Sequence, residues 1–432
     1  MLEKLYYVMV VIFIIYLVVC LITYMPRMRG WFASFKKQEK LVSKKQNKMA
    51  ICIPARNESS VIVDLLKSIQ KQTYSADNFD VYIMVQDPND PTVELAKMVN
   101  ATVYVVTDQT CKGDTIDYCF QDILKKYPNK YEGLIIVDAD CIISETFMEE
   151  MNNSFASGRD VFQAKKNVKN YLSNDKKANS LVSSCNGIIW TLIDDMGNRY
   201  KSDINVTNMT IGTGIMIRTS LIKKLKGWPY RQTSTEDIEF MYDCAIHGVE
   251  TYYNSHCIMY VEESTSLHVT NQRRWRWLKG VIDSDRIYRD RLDKVEGKKN
   301  RKNRYYTVAL WPVFHYIAAL VLFAFINIVL FIPLVSNGIS FWYVPMCFGL
   351  GAIGVIYLSF WFMTLIALIV DRKNIKLPWY KRLAVLFVHP LFYMGYIRIV
   401  ARAMLTKPGM KWDAIKRVEF NVSEAEFEKS EN

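Results

Sequence analysis

The chain has 432 residues, half of them hydrophobic, and a formal net charge of +12. That length accommodates one catalytic domain of ordinary size together with a membrane region. The basic residues cluster beside apolar stretches, which points to positive-inside topology and anionic lipid and excludes nucleic acid as the partner.

Leu5 to Met25 is an uncharged stretch of 21 residues, long enough to cross a bilayer. It lacks both a strong basic n-region and a small-residue cleavage site, so residues 1–25 are read as an anchor and not a signal peptide. A basic linker follows over residues 26–48, with eight Lys or Arg against one acid, Glu39. Residues 49–265 form the globular part. Met49–Ile53, Val81–Val85, Thr102–Val106 and Gly133–Val137 read as strands, and Ser59–Gln70, Thr92–Val99 and Thr115–Leu124 as the helices between them, Ser60 capping the first. Such alternation predicts an α/β domain with a mostly parallel sheet covered on both faces.

Residues 266–304 are dense in cations and indoles and read as interfacial amphipathic helices. From Tyr305 to Val370 there is no Asp, Glu, Lys or Arg, and Ser336-Asn337-Gly338 divides that stretch into a membrane hairpin. Residues 371–406 hold a shorter apolar run, Leu383–Ile397, interrupted by His389-Pro390. It is interfacial, re-entrant or a third C-terminal span, and a non-spanning reading keeps the basic tail, residues 407–432, cytoplasmic. The nine cysteines show no paired spacing, as in a reduced cytoplasmic domain without disulfides or zinc. Sequons at Asn57, Asn152, Asn205 and Asn208 are then accidental.

Ligands of a parallel sheet bind beyond the carboxyl ends of its strands, and Asp87, Lys112 and the pair Asp138/Asp140 fall there. Two carboxylates held that close repel each other unless a cation sits between them, which makes Asp138-Ala139-Asp140 a metal-site candidate. Asp87 suits contact with uracil or ribose, whereas Asp90 or Thr92 caps the following helix. Lys112 precedes a helix and can meet a diphosphate, but no Walker-type loop accompanies it, so ATP is not implied. Thr235-Glu236-Asp237 opens a helix. Capping alone would explain it, and the active-site reading makes Asp237 a general base for an acceptor hydroxyl. In Gln272-Arg273-Arg274-Trp275-Arg276-Trp277, one indole can stack on a sugar while an Arg pairs with a diphosphate.

The ordered set resembles the membrane-embedded processive family-2 glycosyltransferases, such as cellulose, hyaluronan and poly-N-acetylglucosamine synthases and single-chain bacterial capsule or β-glucan synthases. The matching text runs from Ile53-Pro54-Ala55-Arg56-Asn57-Glu58 through Asp87, Lys112, Asp138-Ala139-Asp140, Gly212-Thr213-Gly214 and Thr235-Glu236-Asp237 to Arg276-Trp277. The resemblance implies a GT-A fold with Mg²⁺ or Mn²⁺ at Asp140, and Asp237 as base beside Glu236. It implies donor contacts from Ala55, Asn57, Glu58, Asp87, Lys112, Asp138, Arg273 and Arg276, and acceptor contacts from Gly212, Thr213, Gly214 and Trp277. The family's Gln-x-x-Arg-Trp is altered here. Either Arg273 replaces the glutamine or Arg274-Trp275 is the working pair, and the spacing to Gly280 favours Arg276-Trp277.

The resulting expectation is an inverting β-glycosyltransferase of the cell membrane, multi-pass, with its catalytic domain cytoplasmic. It polymerises a UDP-sugar, UDP-glucose first and UDP-N-acetylglucosamine second, into an exported polysaccharide, with a homo-oligomer or the Leu383–Ile397 segment completing the channel. The alternatives are a non-processive transferase serving a lipid carrier and a catalytically silent membrane scaffold.

Overall fold

The computed structural model describes residues 2–407 except Asn174, Lys176, Val308 and Ala309; the tail beyond Lys407 lies outside the described residues. Strands β1 (Met49–Pro54), β2 (Phe79–Val85), β3 (Thr102–Val105) and β4 (Gly133–Ile136) coincide with the four predicted ones. They pair in parallel in the order β3-β2-β1-β4. Their residues alternate between two apolar layers. Ile51, Ile53, Ile83 and Ile135 face one cluster, while Cys52, Tyr82, Met84 and Ile136 face the other.

The second half of the sheet is mixed. β5 (Ile142–Ile143), β6 (Val161–Val168), β7 (Ile215–Arg218) and β8 (Thr251–Val261) extend the order as β4-β7-β6-β8-β5, with β7 antiparallel to both β4 and β6. β7 therefore enters the sheet from the carboxyl edge of β4, pairing Ile215 with Ile136. Its lead-in, Gly212-Thr213-Gly214, is delivered directly to Asp138.

Helix α1 (Leu2–Ala33) precedes the sheet, and α2 (Ile62–Gln70) and α3 (Lys112–Lys126) cover opposite faces. α2 begins after the expected Ser60 cap. Val61 holds the N-cap position without a side-chain bond, and the carbonyl of Glu58 accepts from the N–H groups of Val61 and Ile62 instead. The expected Thr92–Val99 helix is a short α turn continued as 3₁₀. Helices α4 (Leu181–Ile193), α5 (Glu236–Ile246) and α6 (Leu267–Asp293) are the later helices that frame the site. α6 is more deeply packed than an interfacial helix, with Thr270, Arg274, Lys279 and Asp283 buried along it.

Helices α7 (Leu310–Ser336) and α8 (Tyr343–Val370) form the expected hairpin, and α9 (Trp379–Leu405) follows as one continuous helix through Pro390. Among the described residues α1, α7, α8 and α9 are long and apolar enough to cross a membrane. α1 packs on α7 and α8 through Tyr6, Val10, Phe323 and Ile356. α9 touches the domain at its start, middle and end. Lys381 donates to the carbonyl of Asn179 at 2.5 Å, Tyr396 faces Arg274, and Arg286 donates to the carbonyl of Met404 at 2.6 Å.

A buried ion cluster fastens the hairpin to the sheet. Lys165 on β6 pairs with Asp195 and, at 2.7 Å, with Asp371, the residue after α8; Thr191 donates to the same Asp371 carboxylate. Burial disfavours the Lys165 ammonium, but Asp195 and Asp371 outweigh it and push its pKa up. Removing the cation leaves two buried carboxylates facing each other. Lys165→Met is expected to cost about 3 kcal/mol or more, read as a lower Tm in detergent. Lys97→Met, which breaks an exposed pair with Glu94, should leave Tm unmoved.

Candidate active site

The carboxyl edge of the first four strands gathers the acidic motifs around one lysine. Lys112 is the first residue of α3, whose N-cap, Cys111, donates its N–H to the carboxylate of Asp114 in a reciprocal capping box. Arg231 reaches Asp114 at 3.1 Å and Asp117 at 2.8 Å, tying the α3 start to the loop that leads into α5. From there the Lys112 ammonium donates to Asp138 at 2.5 Å and to the carbonyl of Gly212 at 2.8 Å, with Glu236 at 3.6 Å. Burial lowers its pKa, yet these carboxylates prevail and raise it, so it stays charged.

Asp237 is held by backbone alone. Gly212 N–H donates to one carboxylate oxygen at 2.7 Å and Ile238 N–H to the other at 2.9 Å. Glycine at 212 allows this close approach: a Cβ there would stand 3.2 Å from Glu236 Oε1 and from Lys112 Nζ and would press on both. Burial, then the like charge of Glu236, push Asp237 up to about 7, with Lys112 and the two N–H groups pulling the other way. A carboxylate poised there suits a general base. The capping explanation of Thr235 fails locally, because it makes no side-chain cap bond. Instead Gly280 of α6 lies so close to Thr235 Oγ1 that a Cβ would sit 2.2 Å away.

Asp138 and Asp140 leave β4 on a tight turn, Asp138 N–H donating to Thr213 Oγ1 at 3.0 Å. Burial raises the Asp138 pKa and Asp140 adds to it, while Lys112 opposes. Among the described residues no three His, Cys, Asp or Glu converge as a closed metal cage. A pair of hard carboxylates is nevertheless the donor set that suits Mg²⁺ or Mn²⁺ when a ligand's phosphates complete the shell.

A cavity of about 1220 Å³ runs from these acids towards the long apolar helices α7, α8 and α9. Ala55, Asn57 and Glu58 line its domain end with Lys112, Asp138 and Asp140; Gly212, Thr213, Glu236 and Asp237 form its floor; Arg273, Arg276 and Trp277 stand along α6. Asn57 adopts a left-handed conformation (φ 57°), its N–H held by Asp90 at 3.1 Å. The opposite end is apolar, walled by Val321 and Phe325 of α7, Phe360 and Met363 of α8, and Ile397 and Val400 of α9. Trp277 packs edge-on against Trp190 with ring centroids 6.0 Å apart. Trp275 is not among the lining residues and lies under Arg402, so Arg276-Trp277 is the pair in the cavity.

A sequence model of the glycosyltransferase-like family 2 matches residues 46–280, more than half of the chain. The chain belongs to glycosyltransferase-like family 2. A 4,4'-diaponeurosporenoate glycosyltransferase of Staphylococcus haemolyticus (strain JCSC1435) is 29% identical over 134 residues, covering 31% of this chain and 34% of that protein. The chain thus aligns with about a third of that relative's length. In fold it is similar to the mannosyltransferase PcManGT from Pyrobaculum calidifontis, solved in complex with GDP-Man and Mn²⁺. The TM-score is 0.55 at 12% identity, over 83% of this chain and 97% of that one.

Two expected family-2 site residues stand apart from the cavity. Asp87 is exposed at the end of β2, its carboxylate accepting from Asn89 N–H at 2.8 Å, and is not among the lining residues. Gly214 stands just before β7 at φ 64°, its backbone bonded to Ile136 and Ala164, where a Cβ would meet Met259 Sδ at 2.2 Å. Two contributions were not anticipated. Asp90 clamps Asn57 as well as the Thr92 N–H, and Trp190 supports Trp277. Asp90 carried only a capping signal in the sequence, and Trp190 none.

For a base with these surroundings, kcat/KM should rise with pH through a value near 7, because Asp237 must be ionised to act. Glu236→Gln removes a like charge, so the acid limb should move to lower pH. Asp237→Asn should reduce turnover by about 100-fold or more. The pH profiles of the three proteins check both statements; an unmoved limb in Glu236→Gln would refute the electrostatic coupling.

Proposed function

We propose that this family-2 protein is an inverting, divalent-metal-dependent glycosyltransferase that moves a sugar from a nucleotide diphosphate onto an acceptor presented by the membrane. The observation that carries the reading is the continuity of one cavity from Asp138, Asp140 and Asp237 to apolar walls on α7, α8 and α9. An acceptor hydroxyl near Asp237 can then belong to a molecule whose remainder stays in hydrocarbon.

The Ala55–Glu58 turn and Lys112 would hold the nucleotide end, with Asp138 beside them. Asp140, assisted by Asp138, would hold Mg²⁺ or Mn²⁺, whose chemistry when bound is to neutralise the diphosphate. Lys112 adds a fixed positive charge on the same side, and Arg273 and Arg276 extend it along α6. Asp237 takes the acceptor proton as the hydroxyl oxygen attacks the anomeric carbon. Its two backbone N–H bonds keep its carboxylate aimed without consuming a side chain. The leaving diphosphate departs from the face opposite the attack, so the configuration inverts. UDP-glucose is the first donor to try and UDP-N-acetylglucosamine the second.

α9 is read as lying along the cytoplasmic face, since its first turn, middle and last turn all meet the domain. α1 and the α7–α8 hairpin then cross the membrane, and the basic residues of 26–48 and 286–304 sit on the cytoplasmic side. A second reading, polymerisation coupled to export, is favoured by Trp277, which offers an aromatic platform for a growing chain's terminal sugar.

Incubation of the detergent-purified protein with Mn²⁺ or Mg²⁺, extracted membrane lipid and each radiolabelled donor should put label into organic-extractable product. High-mass water-soluble polymer alone would overturn the membrane-acceptor reading in favour of the synthase. No product from any donor, in protein that binds UDP, would move the reading to a scaffold.

A further inference from the structure

The apolar half of the cavity contains one group that does not belong in an apolar wall. Arg274 of α6 is 4% exposed, and its Nη1 has no hydrogen-bond partner. Its Nη2 makes only a long contact, 3.4 Å, to the carbonyl of Asn186. Among the described residues no carboxylate lies within ion-pair distance of it. The nearby acid, Glu263, accepts from the Trp190 indole at 2.8 Å and stands 3.9 Å from Arg273, so two guanidiniums share one carboxylate. The remaining neighbours are rings. The guanidinium sits 4.5 Å from the centre of Trp277 and 5.9 Å from that of Tyr396.

Aromatic faces offset part of the cost of burying a cation, but they leave its N–H donors unsatisfied. The hydroxyl of Tyr396 lies beside the Arg274 guanidinium and has no other hydrogen-bond partner among the described residues, and His389 Nε2, on the same helix, is without one. Arg274 and Tyr396 both line the cavity. A buried cation with an unmatched N–H and a hydroxyl whose one neighbour is that cation, side by side on a cavity, are arranged for an oxyanion.

We propose that Arg274 and Tyr396 form a subsite for the anionic head group of the membrane acceptor, a phosphate or carboxylate carried on a long apolar chain. The proposal rests on the membrane-acceptor reading. The head group would sit between Arg274 and Tyr396, and its chain would follow Ile397 and Val400 along α9. Trp277, stacked on Arg274, would form the boundary between this subsite and the sugar-transfer chemistry at Asp237.

The test is equilibrium binding to the full-length protein in detergent, without donor or metal, of farnesyl monophosphate, palmitate and the neutral farnesol, with UDP binding measured separately in the presence of Mn²⁺. At least one anion should bind ten-fold or more tighter than farnesol; which one does so separates phosphate from carboxylate. Arg274→Gln should abolish that preference while farnesol and UDP affinities hold, and Tyr396→Phe should reduce it several-fold. Equal affinity for the anions and farnesol, or a preference intact in Arg274→Gln, would overturn the subsite and leave the membrane-acceptor reading standing. If none of the three amphiphiles binds while a soluble oligosaccharide accepts sugar, both fall. Should Arg274→Gln lose UDP binding and thus its fold, Tyr396→Phe decides, an unchanged preference refuting the subsite.

Discussion

Lys112 is the charge on which the site is built. Asp138, Glu236 and Asp237 come from two distant parts of the chain, and without a cation among them their mutual repulsion would oppose the fold of this edge. Placing that cation at the first position of α3 fixes it to the sheet, and the Asp114–Arg231 and Asp117–Arg231 pairs fix α3 to the Thr235 loop. The same ammonium bonds to the Gly212 carbonyl while the Gly212 N–H holds Asp237, so one peptide segment connects the lysine to that carboxylate. The reversal of strand direction at β7 follows from this need. Only a strand running against β4 brings Gly212 and Thr213 to the end where Asp138 emerges.

The half of the domain governed by local pattern was open to reading from the sequence. β1, β2 and β4 are short apolar runs between helices, buried on both faces, and each functional turn follows directly from a strand end. The acidic motifs were readable for the same reason, because two carboxylates one residue apart after such a run have few structural uses. What escaped depends on contacts distant in sequence. Lys165 and Lys166 look like surface residues, yet they lie inside β6 because Asp194, Asp195 and Asp371 neutralise them from other elements. Gly214 bonds through its backbone to Ile136 and Ala164 with Met259 against it, a placement set by other strands. Periodicity has no means of separating these cases.

The long apolar helices are joined to the catalytic domain by two unlike devices. At one side the Lys165–Asp371 pair and the Thr191 bond form a polar, satisfied junction that sets where α8 ends. At the other, α9 lies across α6 with aromatic contacts, Tyr393 and Tyr396 facing the cavity. The first junction resists displacement because any shift separates buried charges. The second is made mostly of rings and aliphatic chains around the single buried Arg274, and can yield around an inserted chain without separating a buried ion pair.

That asymmetry bears on how an amphiphile could enter. A path through the Asp371 side would require opening a buried ion cluster, which costs far more than parting apolar side chains. A path between α7 and α9 requires only that Phe325, Ile397 and Val400 exchange contacts with one another for contacts with a hydrocarbon tail, a change nearly neutral in hydrophobic terms. The polar end of such a molecule would then meet the first unsatisfied donors on its way inward, those of Arg274 and Tyr396, before reaching Trp277 and the carboxylate of Asp237. The order of groups along the cavity, apolar wall, guanidinium, indole, base, thus matches the order of groups along an amphiphile with a reactive head, and a uniformly polar glycan has no equivalent use for the apolar wall.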